Sequence, residues 1–101
     1  MNNIIKGTTP TISYTFDIVH VSDITKAILT IKRSGEIRVE RDLTTASVGA
    51  DKLSWTLTQA ETLSVDGNAS VMLNWVTSDG TRGASAETAI YFDTNHKEEV
   101  I

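Results

Sequence analysis

The sequence predicts an all-β domain: a two-layer sandwich of seven strands with one short helical turn near residues 58–64. Three observations carry this. Several short runs alternate strictly between apolar and polar residues, the signature of a half-buried strand. Turn residues separate those runs about every 8–12 positions, the spacing of sandwiches and small barrels. The chain has 101 residues, 40% of them apolar and 22% charged, which is one domain's worth of ordinary globular sequence.

The elements follow in order. Asn2 to Lys6 forms a short first strand, ended by Gly7 and Pro10, because proline suits a strand start or an edge. Ile12, Tyr14, Phe16 and Ile18 share one face of the second strand. Ala27 to Ile31 forms the third, with Ala27, Leu29 and Ile31 inward. Ser34-Gly35 then makes a two-residue hairpin turn. Its returning strand, Glu36 to Leu43, is expected to bury Ile37 and Val39. A polar loop runs from Thr44 to Asp51. Leu53, Trp55 and Leu57 face inward on the fifth strand.

Thr58-Gln59-Ala60-Glu61 has capping-box spacing, in which hydroxyl and carboxylate each satisfy a free backbone N–H. The sixth strand, Ala69 to Thr77, places Val71, Leu73 and Trp75 inward. Asp79-Gly80 is a hairpin signal, and the last strand runs from Ala84 to Phe92. The tight Ser34-Gly35 hairpin keeps strands three and four in one sheet. The expected arrangement is immunoglobulin- or fibronectin-III-like: strands 1, 2 and 5 against strands 4, 3, 6 and 7. Residues 1–93 form the domain. Residues 94–101 form a charged tail, loose unless a partner holds it.

Composition narrows function by exclusion. With no cysteine, disulfides, thiolate zinc sites and cysteine nucleophiles are ruled out. The net charge of −4 argues against nucleic acid, which needs concentrated Lys and Arg. The cluster of Lys26, Lys32, Arg33, Arg38 and Arg41 is interleaved with Glu36, Glu40 and Asp42, as on a solvated hairpin. No run is long and apolar enough to cross a bilayer as a helix. Met1 to Lys6 lacks the pattern of a secretory signal, so folding in a cytoplasm is expected.

Candidate chemical sites each meet a simpler reading. His20 lies near Asp17 and Asp23, but at no established ligand spacing. His96 and the pair Glu98-Glu99 sit in the tail, where nothing holds them at fixed separation. Gly80-Thr81-Arg82-Gly83 lies between strands, whereas a phosphate loop leads into a helix N-terminus. Trp55 and Trp75 fall in phase with inward Leu and Val, which assigns them to the core and not to a sugar platform. The expectation is a protein without catalytic residues, metal or cofactor.

Ile4-Ile5-Lys6-Gly7-Thr8-Thr9-Pro10, Leu53-Ser54-Trp55-Thr56-Leu57-Thr58-Gln59, Leu73-Asn74-Trp75, Asp79-Gly80-Thr81-Arg82-Gly83-Ala84-Ser85 and Asn95-His96-Lys97-Glu98-Glu99-Val100-Ile101 together resemble a group of small proteins of tailed phages and prophages of gut Firmicutes. More loosely, the strand–turn pattern is similar to the immunoglobulin-like N-terminal domains of phage baseplate upper proteins. Those proteins continue well beyond this module, whereas this sequence stops at Ile101, which implies a free-standing domain.

The resemblance implies a virion structural or assembly module in a capsid, head–tail, tail or baseplate position. It would contact other virion proteins or copies of itself, and it supplies no catalytic residue. The alternative is a carbohydrate-binding or adhesion module with a glycan as partner. Neither nucleic acid nor a membrane is expected as a partner. If strands three, six and seven lie side by side, Ile28, Met72, Val76, Ala89 and Tyr91 share one outward surface. A contiguous apolar patch of this kind marks an interface.

Overall fold

The hairpin at Ser34-Gly35 sets the geometry of the larger sheet. Ser34 and Gly35 both adopt positive φ, 53° and 80°, the pair of values a type I′ turn requires and Gly accepts without strain. In the computed structural model, which describes residues 2–101, this turn joins β3 (Ile24–Arg33) to β4 (Glu36–Asp42). Met1, the first residue of the predicted domain, lies outside the described residues.

The predicted β-sandwich is what the structure shows, with nine strands among the described residues. Besides β3 and β4 they are β1 (Asn2–Ile5), β2 (Thr11–Thr15), β5 (Ser47–Val48), β6 (Lys52–Thr56), β7 (Gly67–Thr77), β8 (Arg82–Ala84) and β9 (Thr88–Asp93). The larger sheet runs β1-β9-β7-β3-β4, with β8 also on β7, and the smaller runs β2-β6-β5. Between them lies the core, in which Leu29, Ile31, Leu53, Trp55, Val65 and Leu73 are fully buried. The Trp55 indole N–H donates to the Asp42 carbonyl at 2.9 Å, so the one polar atom of that side chain is satisfied.

Helix α1 (Gln59–Leu63) begins at the capping box expected from sequence. The Thr58 hydroxyl accepts from the Glu61 N–H, and the Glu61 carboxylate accepts from the Thr58 N–H. Its inner face carries Thr62, fully buried. The Thr62 hydroxyl accepts from the Gly7 N–H at 2.9 Å and donates to the Thr8 carbonyl at 2.8 Å. It therefore ties the helix to the segment that carries the chain from one sheet to the other.

That crossing corrects the expected sheet assignment. β1 does not join β2 and β6; it pairs in parallel with β9, Ile4 opposite Phe92. The Lys6 N–H extends the pairing by donating to the Asp93 carbonyl at 3.0 Å. The chain then turns at Gly7 and reaches the smaller sheet only at Thr11, after Pro10.

Five further expectations change. A bulge in the β3–β4 ladder places Val39 opposite Ile31 but Ile37 opposite Lys32. The extra residue, Arg38, reverses the alternation. Val39 is thus buried, while Ile37 points outward and is 54% exposed. β2 ends at Thr15, and Ile18, in the bend that follows, is 93% exposed. The polar loop contains the two-residue β5, paired to β6.

The last predicted strand is split into β8 and β9. At the break, the Ser85 hydroxyl accepts from the Leu73 N–H, taking the place of a strand carbonyl. The tail, expected to be loose, folds back on the domain. The Asn95 amide donates to the Lys6 carbonyl at 2.8 Å, and Ile101 and Gln59 exchange two hydrogen bonds.

Candidate functional site

Strand register builds the outer face of the larger sheet. On β7, Met72 stands opposite Thr30, Asn74 opposite Ile28, and Val76 opposite Lys26. Since inward and outward residues alternate, Ile28, Met72 and Val76 share one face, with Asn74 among them. Ala89 lies opposite Ser70 and Tyr91 opposite Asn68 on β9. All five residues expected at an interface therefore lie on this face. Ile28, Met72 and Val76 are grouped around Asn74, and Ala89 flanks them. Tyr91 is displaced, because Asn68 is four positions along β7 from Met72, about 13 Å at strand rise.

The bulge adds Ile37 to this surface, which sequence reading had placed in the core. Ile37 and Met72 line a groove of about 260 Å³ together with Lys32 and Glu87. A second hollow of about 210 Å³ lies between Ile28, Val76, Lys26 and Arg82, where the Arg82 guanidinium donates to the Asn74 side-chain oxygen at 3.1 Å. Across β4, Asp42 stands opposite Ile28 and Glu40 opposite Thr30. Both signs of charge thus border the apolar patch.

The aromatic residues are distributed as a core demands. Trp55 is fully buried. Trp75 is partly buried against the core, its ring meeting the edge of Phe16 at 5.1 Å and 89°. His20 is exposed beside a single turn of 3-10 helix, Val21–Asp23. Among the described residues, no group of three or more Asp, Glu, His or Cys side chains is placed to hold a metal ion. Glu98 and Glu99 engage different lysines, Lys6 and Lys97. Gly80-Thr81-Arg82-Gly83 closes the turn that leads into β8.

Sequence reading missed an ionic cluster around a buried lysine. Lys6 is 6% exposed, and its ammonium donates to the Asp66 carboxylate and, at 3.3 Å, to Glu98. The signal was present in the alternation, since Ile4 and Lys6 occupy the same phase. The Asp66 bond raises the Lys6 pKa against the opposing effect of burial. Lys6 in turn holds the Asp66 carboxyl below its usual range. Glu98 is lowered first by the Asn95 backbone N–H and then by Lys6.

Other displaced groups serve local structure. Asp42 is lowered by the Thr44 hydroxyl and N–H, which it caps. Asp79 falls to about 2 through bonds from Thr77 and Thr81 in its turn. Burial raises Tyr14, with Ser85 acting the other way.

No protein-family model and no curated protein matches the chain. Among solved structures it is similar to CopC from Methylosinus trichosporium OB3b, at 14% identity and a TM-score of 0.48, over 89% of this chain and 98% of that one. At that distance the likeness transfers no ligand or activity. The expected virion structural or assembly module, with its carbohydrate-binding alternative, is withdrawn: no family model and no curated protein supplies a phage relative.

Proposed function

We propose that this chain is a non-catalytic binding domain that pairs with a second copy of itself through the outer face of its larger sheet. The observation that carries the reading is the patch of Ile28, Met72 and Val76, extended by Ile37, on a face that no other element covers among the described residues. Contiguous apolar surface on a small domain is costly to leave in water and commonly marks a contact.

Charge favours a like partner. Lys26 and Lys32 on β3 lie beside Glu40 and Asp42 on β4. Two copies related by a half-turn can set Lys26 and Lys32 of one against Glu40 and Asp42 of the other, the self-complementarity of a twofold interface. The displaced carboxylates find their explanation in a turn, a cap and the Lys6 cluster, which fits a structural and not a catalytic use of charge.

The chain has no native cysteine, so a single introduced thiol reports the contact. Met72→Cys, treated with a short bismaleimide cross-linker, should give a covalent dimer. Ser54→Cys, on the outer face of the smaller sheet, should not. Equal yields from the two variants would contradict the reading.

A further inference from the structure

The smaller sheet has three strands against the six of the larger one. Its edge strand, β2, has only β6 as a neighbour among the described residues. The Leu57 N–H donates to the Pro10 carbonyl at 2.9 Å, and the Phe16 N–H donates to the Asp51 carbonyl at 2.7 Å. Residues 10 and 16 are thus hydrogen-bonded to β6. In an antiparallel ladder this phase alternates, so Ile12 and Tyr14 also bond to β6. The backbone N–H and C=O groups of Thr11, Ser13 and Thr15 therefore point away from β6, along a free edge.

Beneath that edge lies a groove of about 450 Å³ between the two sheets. Ile12 and Tyr14 line it from β2, Val71 and Ile90 from the larger sheet, and Ile4 from β1. No charged residue lines it, in a chain in which 22% of residues are charged. A free backbone edge over an uncharged, partly apolar slot is what an added strand requires. Main-chain bonds supply affinity, and alternate side chains enter the slot.

We infer that this edge is an acceptor site for an extended, uncharged segment of a partner protein, apolar at alternate positions, which adds to the smaller sheet beside β2. The site goes beyond the pairing proposed above and is independent of it, because it lies on a different side of the sandwich and shares none of the patch residues. Natural proteins usually protect such edges with charge, proline or bulges. β4 carries Glu36, Arg38 and Glu40 together with its bulge, whereas β2 reads Thr-Ile-Ser-Tyr-Thr.

The test uses the full-length chain, isotopically labelled, and two synthetic probes. One is an acetylated Thr-Val-Thr-Val-Thr-Val-Thr peptide with a Gly-Lys-Lys solubility tail. The other has the valines replaced by glutamate. Amide exchange should slow at least tenfold at Ser13 with the valine peptide and stay unchanged with the glutamate peptide.

Ser13→Pro should abolish the protection, read in this variant at the Thr11 and Thr15 amides of the same edge, while keeping the melting temperature, because the N–H it removes bonds to nothing on β6 and proline is tolerated at such positions. Should that variant lose its fold, the valine peptide N-methylated on alternate residues serves instead and should fail to protect. Three results would overturn the inference: no protection by the valine peptide, equal protection by the glutamate peptide, or protection of Ser13 that rises with protein concentration alone. The last would assign the edge to a second copy. Met72→Lys leaves the peptide effect intact, which separates this site from the proposed dimer face.

Discussion

Gly83 lies directly beneath the indole ring of Trp75, so close that a Cβ added at residue 83 would sit 2.5 Å from Trp75 Cε2. The two residues are opposite one another in the β7–β8 ladder. The absence of a side chain at 83 lets the ring lie flat on the strand while its other surroundings include the edge of Phe16. Gly83→Ala should therefore force the ring to move and cost about 1–3 kcal/mol, as overpacking does. Urea titration measures the loss, and a shift in Trp75 emission, read in a Trp55→Phe background, reports the displacement.

The other indole is held by burial. Trp55→Ala should cost about 3–5 kcal/mol, the usual penalty for removing a large buried aromatic. Trp55→Phe keeps most of the apolar contact but gives up the bond to the Asp42 carbonyl. Its cost should be about 1 kcal/mol, the net value of a typical hydrogen bond. If the two variants melted alike, packing would not be what holds this strand.

What was legible in the sequence was local. The alternation of Leu53, Trp55 and Leu57 gives a buried face because consecutive side chains must point opposite ways. The Thr58–Glu61 spacing and the Ser34-Gly35 turn specify geometry within four residues. What was not legible depended on pairing at a distance. Ile37 and Val39 are in phase on paper, and only the ladder against β3 reveals the extra residue between them. β1 carries no mark of its parallel partner β9, 88 residues along the chain, and β5 is too short to show alternation.

The outer face is a mixed case. All five predicted residues fall on it, because alternation fixes the face of a strand once its neighbours are known. Ile37 is absent from the expected interface for the same reason that it was misplaced in the core. Lys6 had the right phase for burial, but nothing local announces Asp66 or Glu98 as its partners.

Thr62 is a buried polar residue with both of its roles filled. Thr62→Val preserves shape but leaves the Gly7 N–H and the Thr8 carbonyl without that partner. The expected cost is about 1–3 kcal/mol, the desolvation penalty of unsatisfied groups. Thr62→Ser, which retains the hydroxyl, should lose less. Equal losses would show that the methyl group and not the hydroxyl anchors the crossing.

Acid should unfold this domain partly through the Lys6 cluster. The Asp66 and Glu98 pKa values are lower folded than unfolded. Their contribution is therefore complete above the unfolded values, about 4, and is lost as pH falls through the folded ones. Asp79 extends the loss down to about 2. Lys6 has the opposite sign: its raised pKa gives stability that is complete below its unfolded value, about 10.4, and is lost as pH rises through the folded one. Lys6→Met should lower stability at pH 7 and flatten its dependence on pH below about 4. Denaturant titrations from pH 2 to 8 test this, and an unchanged slope would remove Lys6 from the account.

Pairing through the outer face is the central claim, and sedimentation equilibrium measures it most directly. The wild-type chain should show a concentration-dependent monomer–dimer equilibrium. The double variant Met72→Lys/Val76→Lys should sediment as a monomer over the same range while melting near the wild-type temperature, since both residues point away from the core. A double variant that folds normally and dimerises as tightly as the wild type would contradict the claim, as would a wild-type chain that remains monomeric at every concentration tested.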